Sequence, residues 1–103
     1  MQFISAKDFT AENSWQAITI ARIQGVSTRL HWIDTPYHWH INEGKEVFVV
    51  LDGKVVMYYE QHGKQFSKPL EIGDIFYAST GTKHYAAPIG EARVLVIEQQ
   101  GSI

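Results

Sequence analysis

The sequence predicts a single all-β domain, folded as an antiparallel sandwich or a small barrel. Apolar and polar residues alternate in seven or eight short runs, and turn signals separate these runs along the chain. Helical spacing is absent beyond a short N-terminal turn, so no helix is expected to cover a parallel sheet. Short strands without covering helices are typical of antiparallel sandwiches and barrels.

The first two strands are predicted on either side of a glycine. Alternation of apolar and polar residues predicts strands over 16–23 and 26–33, with Gly25 between them. The segment Asp34-Thr35-Pro36 is typical of a turn and ends the second strand.

A hairpin is predicted in the middle of the chain. Two β-rich runs, 46–51 and 54–59, flank Asp52-Gly53, and His62-Gly63-Lys64 forms the next turn signal. An Asp-Gly dipeptide is typical of tight hairpin turns, because both residues take positive φ there. We therefore expect the chain to reverse at Asp52-Gly53.

Three more strands are predicted in the last third of the chain. They are expected over 75–78, 84–87 and 92–98, separated by the turn signals Thr80-Gly81 and Pro88-Ile89-Gly90. Closing these strands into a barrel would remove the exposed sheet edges that promote aggregation.

Composition excludes several classes of function. The chain has 103 residues, the length of one domain, and nine basic against eleven acidic side chains give a formal net charge of −2. This balance argues against nucleic acid and anionic membranes as partners. Cysteine is absent, which excludes disulfides and thiolate chemistry. No apolar run approaches the roughly 18 residues that span a bilayer, and Lys7 and Asp8 interrupt any secretory signal. A cytoplasmic location is expected.

Two histidines and a glutamate are candidates for a metal site. His38 and His40 stand two residues apart, and in an extended segment such residues project to the same side. Glu46 shares a face with Phe48 and Val50 by alternation, and a carboxylate facing the interior of a barrel requires a cation or hydrogen-bond donors. An exposed Glu46 at a strand end fits the local pattern equally well. A His-x-His pair by itself more often marks two surface histidines.

His84 is the third histidine in this candidate set. It begins a predicted strand and is followed two residues later by the small Ala86. Together, His38, His40, Glu46 and His84 offer three imidazoles and one carboxylate. Such a set suits Zn, Fe, Mn or Ni and is too rich in nitrogen for Ca or Mg. By itself, His84 would be a hydrogen-bonded core histidine.

Two motifs in the chain resemble those of the cupin superfamily, in particular small single-domain members of the cupin 2 type. The first motif consists of His38-Trp39-His40, Glu46 and Gly53, and the second of Gly73, Gly81 and His84. The resemblance covers roughly residues 28 to 98.

The chain departs from the family pattern at three places. The interval from His40 to Glu46 holds an extra residue, which makes Glu43 a rival to Glu46 as the carboxylate ligand. Ser79 stands where the family commonly has proline, and Pro88 where it commonly has asparagine.

The resemblance implies one cupin domain over residues 1–103. It would comprise an N-terminal strand arm at about 1–25 and a double-stranded β-helix, or jelly-roll barrel, at about 26–98. One divalent transition metal ion (Zn, Fe, Mn or Ni) would be held inside by His38, His40, Glu46 and His84, and a homodimer is typical of such short members.

Three functions are compatible with this site. The first is a metal-dependent enzyme acting on a small polar or carbonyl-bearing metabolite by dioxygenase, isomerase or lyase chemistry. The second is a non-catalytic module that binds a small ligand or sugar in the same pocket, and the third is a purely structural metal. No catalytic acid or base is identifiable from the sequence. Arg22, Arg29 and Arg93 are all candidates for binding an anionic substrate, and nothing in the sequence selects one.

Overall fold

Seven β-strands make up most of the described chain. The structure, a computed structural model, describes residues 1–99. A 3-10 helix (Ala6–Asp8) precedes the strands, which are β1 (Ala17–Ile23), β2 (Val26–Ile33), β3 (His40–Ile41), β4 (Glu46–Gln61), β5 (Lys64–Leu70), β6 (Ile75–Ala78) and β7 (Lys83–Gln99). The predicted all-β class is confirmed. Within residues 1–99, no helix is long and apolar enough to cross a membrane.

Two long strands, β4 and β7, form the centre of an antiparallel sheet. The main path of the sheet runs β1-β2-β7-β4-β5, while β3 also pairs with β7 and β6 with β4. Each long strand therefore has two shorter strands on its other side, β5 and β6 beside β4 and β2 and β3 beside β7, and every pairing is antiparallel. This arrangement is the jelly-roll architecture that the sequence motifs imply.

The prediction of a hairpin at Asp52-Gly53 is wrong. β4 runs without interruption through this dipeptide, and its ladder with β7 shifts register at Asp52 instead of ending there. Gly53 takes the expected positive φ of 81°, but Asp52 does not, so the dipeptide predicted neither the full turn conformation nor the pairing partner. Both halves of β4 pair with β7, and this pairing decides the path of the chain. The break predicted at Pro88-Ile89-Gly90 likewise lies inside the single strand β7.

The ribbon formed by β4 and β7 is strongly coiled. Glu46 pairs with Glu98 at one end of the ladder, and Tyr59 pairs with His84 toward the other. A straight strand from residue 46 to residue 59 would be roughly 43 Å long. Nevertheless, Nε2 of His84 lies 3.3 Å from Oε1 of Glu46. The ribbon must therefore curl until its two ends meet.

Gly53 and Arg93 fix the bend in the ribbon. A Cβ atom on Gly53 would lie 2.5 Å from the backbone oxygen of Glu91, so only glycine fits there. Beside it, Nη1 of the buried Arg93 lies 2.9 Å from Oδ2 of Asp52. The same guanidinium donates through Nε to the carbonyl of Phe9 at 2.8 Å. One side chain thus joins the bend to the N-terminal segment.

The core fills the inside of the coiled ribbon. In β4, residues 46, 48 and 50 are buried and alternate with more exposed neighbours. The buried apolar cluster consists of Ile33, Phe48, Val50, Val55, Met57, Leu70, Ala86, Ala92, Val94 and Val96. Glu46 therefore continues the inward face of β4, and the structure selects the inward alternative left open by the sequence.

Replacing Gly53 by alanine tests the bend. Gly25→Ala is the matched control, because Gly25 also has a positive φ (77°) but nothing within 4 Å of the added methyl group. We expect Gly25→Ala to cost roughly 1–2 kcal/mol of unfolding free energy, and Gly53→Ala roughly 1–3 kcal/mol more because the methyl group overlaps the backbone. Urea unfolding measures both, and equal losses would contradict a close approach at Gly53.

Candidate metal centre and ligand cavity

Three of the predicted site residues meet inside the barrel. His40, Glu46 and His84 each offer a ligand atom, and these atoms lie within 4.8 Å of one another. His40 and His84 face each other in the pairing of β3 with β7. Glu46 reaches them because the β4–β7 ribbon coils. The site therefore combines two residues from consecutive strands with one from β7, about forty residues further along the chain.

The orientation of both histidine rings leaves one nitrogen of each available. Nδ1 of His40 lies 3.1 Å from the carbonyl oxygen of His38, and Nδ1 of His84 lies 3.3 Å from that of Thr82. Because a carbonyl only accepts hydrogen bonds, each Nδ1 is the protonated donor. Nε2 then carries the lone pair that a metal ion requires. Burial also lowers the pKa of His40, which favours its neutral, ligating form.

This donor set fits a divalent transition metal ion. Two imidazole nitrogens and one carboxylate oxygen are ligands that Zn, Fe, Mn and Ni accept. Glu46 is 6% exposed, and its Oε1 lies 3.3 Å from Nε2 of His84, which carries no proton in this tautomer and so donates no hydrogen bond to it. A buried carboxylate with so little compensation is costly, and a cation between the three residues would remove that cost.

His38 and Glu43 lie outside the group of three. His38 is exposed and precedes β3, and its ring stacks on Tyr37 at 4.1 Å between centroids. The ring centroids of His38 and His40 are 5.8 Å apart. Ligation by His38 therefore stays a prediction. Glu43 is exposed, whereas Glu46 is buried and points into the group.

The three residues line a cavity of about 150 Å³. Apolar side chains form much of the wall, among them Phe48, Met57 and Val96. Four further polar or ionisable side chains face the same space: Arg29, His31, Tyr37 and Glu98. The cavity thus combines a largely apolar wall with a small number of polar groups, which is the usual composition of a small-molecule site.

Glu98 is the second carboxyl group in the cavity. Burial, together with the charge of the Glu46 carboxylate and a hydrogen bond to it, raises the pKa of Glu98 to about 7. The guanidinium of Arg29 acts in the opposite direction on the same group. Glu46 and Glu98 face each other across the β4–β7 ladder, which explains their proximity.

Sequence reasoning missed Glu98 and His31, and it could not choose among the arginines. The alternation that placed Glu46 inward also holds in β7, where Val94, Val96 and Glu98 share a face. Applied to the last strand, that signal would have found Glu98. Arg29 and His31 alternate in the same way on β2, and both line the cavity.

The structure distinguishes the three candidate arginines. Arg22 is exposed on β1. Arg93 is engaged by Asp52 and Glu91. Arg29 alone of the three lines the cavity.

A family model and a curated relative match this chain. The Cupin_2 model, described as the cupin domain, matches residues 31–98. Germin-like protein subfamily 1 member 4 of Arabidopsis thaliana is 35% identical over 71 residues, which are 65% of this chain and 32% of that protein. The chain therefore spans about a third of the length of this curated relative.

Solved structures share the fold. A cupin-2 domain containing protein from Shewanella frigidimarina superposes with a TM-score of 0.77 at 20% identity, covering 87% of this chain and 85% of the other. A cupin superfamily protein from Desulfitobacterium hafniense gives 0.73 at 17% identity, covering 91% and 85%. An oxalate oxidase gives 0.65 at 22% identity, covering 75% of this chain and 43% of that one.

His31 should make stability dependent on pH. Burial lowers its pKa below the ordinary value of 6.5, against the opposing hydrogen bond to the Trp15 carbonyl at 2.8 Å. Below pH 6.5 the unfolded chain therefore binds a proton that the folded chain does not, and stability is lost as the pH falls toward the folded-state pKa. We expect His31→Asn to reduce the loss of unfolding free energy between pH 7.5 and 5.5.

The control for this prediction is His62→Asn, which removes an exposed histidine from the turn before β5. Urea unfolding at both pH values gives the comparison. The same pH dependence in His31→Asn and in the parent chain would show that His31 does not cause it.

Proposed function

Because the chain belongs to the Cupin_2 family, we propose that it binds one divalent transition metal ion and acts on a small polar or carbonyl-bearing molecule. The observation that carries this proposal is the convergence of ligand atoms from His40, Glu46 and His84 inside a cavity. A divalent ion held there would polarise a carbonyl or enediol oxygen of the substrate, which serves dioxygenase, isomerase and lyase chemistry alike.

The residues of the chain prepare this site before any ligand enters. The carbonyls of His38 and Thr82 hold the two imidazoles in one tautomer and one orientation. The carboxyl group of Glu98 hydrogen-bonds with that of Glu46. Phe48, Met57 and Val96 keep part of the wall apolar, and polar interactions are stronger where water is excluded.

An octahedral ion has more coordination positions than the three that His40, Glu46 and His84 would fill. We propose that His38 contributes as a weaker fourth ligand, which requires its ring to leave the stack with Tyr37. The remaining positions would be available to substrate or water, the arrangement found in catalytic rather than structural metal sites.

The purified protein should contain close to one transition metal ion per chain. The physical reason is that the ion compensates the buried Glu46 carboxylate. Elemental analysis of protein prepared without chelators measures the content. A folded chain that carries no metal and takes up none from added Zn²⁺, Mn²⁺, Fe²⁺ or Ni²⁺ would refute the proposal.

Glu46→Gln should weaken metal retention far more than Glu43→Gln. Both changes remove one carboxylate from the same stretch of chain, but only Glu46 points into the cavity. We expect a loss of affinity of roughly 10- to 100-fold or more for Glu46→Gln, and almost none for Glu43→Gln. Competition with a chromophoric chelator measures both affinities, and the reverse order would show that the carboxylate ligand is misassigned.

The two histidines of the His-x-His motif provide a second matched pair. His40→Ala should abolish tight metal binding, and His38→Ala should reduce it less, because the His38 ring is exposed and outside the group. The same chelator competition applies. Equal losses would show that both rings ligate equally. Turnover by the loaded protein against a metabolite panel then separates an enzyme from a binding module.

A further inference from the structure

Arg29 brings a guanidinium group to the cavity that no described carboxylate contacts directly. Its Nε atom is buried and has no hydrogen-bond partner. Within residues 1–99, no carboxylate forms an ion pair with it, whereas Arg93 forms two. A buried guanidinium nitrogen without an acceptor is costly, and such a group normally finds a partner in the protein or in a ligand.

The position of Arg29 places it on the wall beside the three predicted metal ligands. In the sheet, Arg29 lies opposite Val96 on β7, and Val96 lies opposite Phe48 on β4. Two strand spacings, roughly 10 Å, therefore separate the backbones at Arg29 and Phe48. Phe48 follows Glu46 on the same inward face. Residues directly opposite each other in an antiparallel ladder project to the same face, so Arg29 shares this face with Val96 and Phe48.

The charges around the cavity also favour an anion. Arg29 brings one positive charge, and a divalent ion at His40, Glu46 and His84 adds two. Glu46 and Glu98 supply at most two negative charges. With a divalent ion bound, at least one positive charge would therefore be left without compensation in a cavity of about 150 Å³, and an anionic ligand would neutralise it.

We propose that Arg29 binds a carboxylate of the ligand, so that the molecule taken up by this cavity is a small organic acid. A guanidinium presents paired donors that match the two oxygens of a carboxylate. A cavity of about 150 Å³ accommodates a molecule of about the size of benzene, which limits the acid to a few heavy atoms within the barrel. This inference rests on the proposed function and specifies its substrate class.

The test compares organic acids with their neutral amides, which have nearly the same shape. Acetate, L-lactate and malonate are titrated against acetamide, L-lactamide and malonamide, with binding followed by NMR shifts of the labelled protein at constant ionic strength. The zinc-loaded and the metal-free protein are measured in parallel. We expect at least one acid to bind tenfold or more tightly than its amide, because a charge-assisted pair is lost in the amide.

Arg29→Gln should weaken the affinity for the acid roughly tenfold while leaving the affinity for the amide unchanged. Arg29→Lys, which keeps the charge but not the paired donors, should retain part of it. Arg22→Gln is the matched control, because it removes the same charge from an exposed position on β1. If Arg29→Gln does not fold by circular dichroism, Arg29→Met, which keeps the apolar stem, replaces it.

Two results would overturn the proposal. One is an equal affinity for acid and amide in all three pairs. The other is a preference for the acid that persists in Arg29→Gln or falls equally in Arg22→Gln, because the metal or the overall charge would then account for it. Failure of the proposed function is a separate result: the folded chain then takes up none of Zn²⁺, Mn²⁺, Fe²⁺ and Ni²⁺, and the metal-free titrations alone test Arg29.

Discussion

The coiling of the ribbon formed by β4 and β7 is the constraint on which the rest of the molecule depends. Glu46 and His84 begin toward opposite ends of one antiparallel ladder, and only the coil brings their side chains to 3.3 Å. The bend is possible because Gly53 has no side chain to meet the Glu91 backbone, and Arg93 fixes it through Asp52. The geometry of the site is therefore a property of the whole barrel and not of any local motif.

The coil also brings ionisable groups into the cavity that the described residues do not fully pair with one another. It brings the carboxyl groups of Glu46 and Glu98 together in a largely apolar space, where burial and mutual repulsion raise the pKa of Glu98 to about 7. Arg29 lines the same cavity, and its buried Nε atom has no hydrogen-bond acceptor among the described residues. A cation near Glu46 and an anion near Arg29 would compensate both groups, so the two proposals describe complementary halves of one binding site.

Period-two alternation explains how much of the site the sequence could predict. Once β4 is recognised as a strand with Phe48 and Val50 inside, Glu46 must share their face, and the structure confirms this. Alternation does not predict the direction of a side chain outside the sheet. His38 precedes β3, and its exposed ring stacks on Tyr37 instead of joining the group of three. Asp52-Gly53 predicted the positive φ of Gly53 but not that of Asp52 or the path of the chain, because pairing with a strand some forty residues away decides between a hairpin and a bulge. The sequence could not choose among Arg22, Arg29 and Arg93, because only the closed barrel shows that Arg29 lines the cavity.

Anomalous diffraction from a crystal of the zinc-loaded protein is the most direct measurement of the central claim, which is that three strands bring their ligands to one point. A single zinc peak is expected at roughly 2.0–2.2 Å from a nitrogen of His40, a nitrogen of His84 and an oxygen of Glu46. A barrel with zinc bound only at surface sites, or with these three side chains too far apart to share one ion, would contradict it.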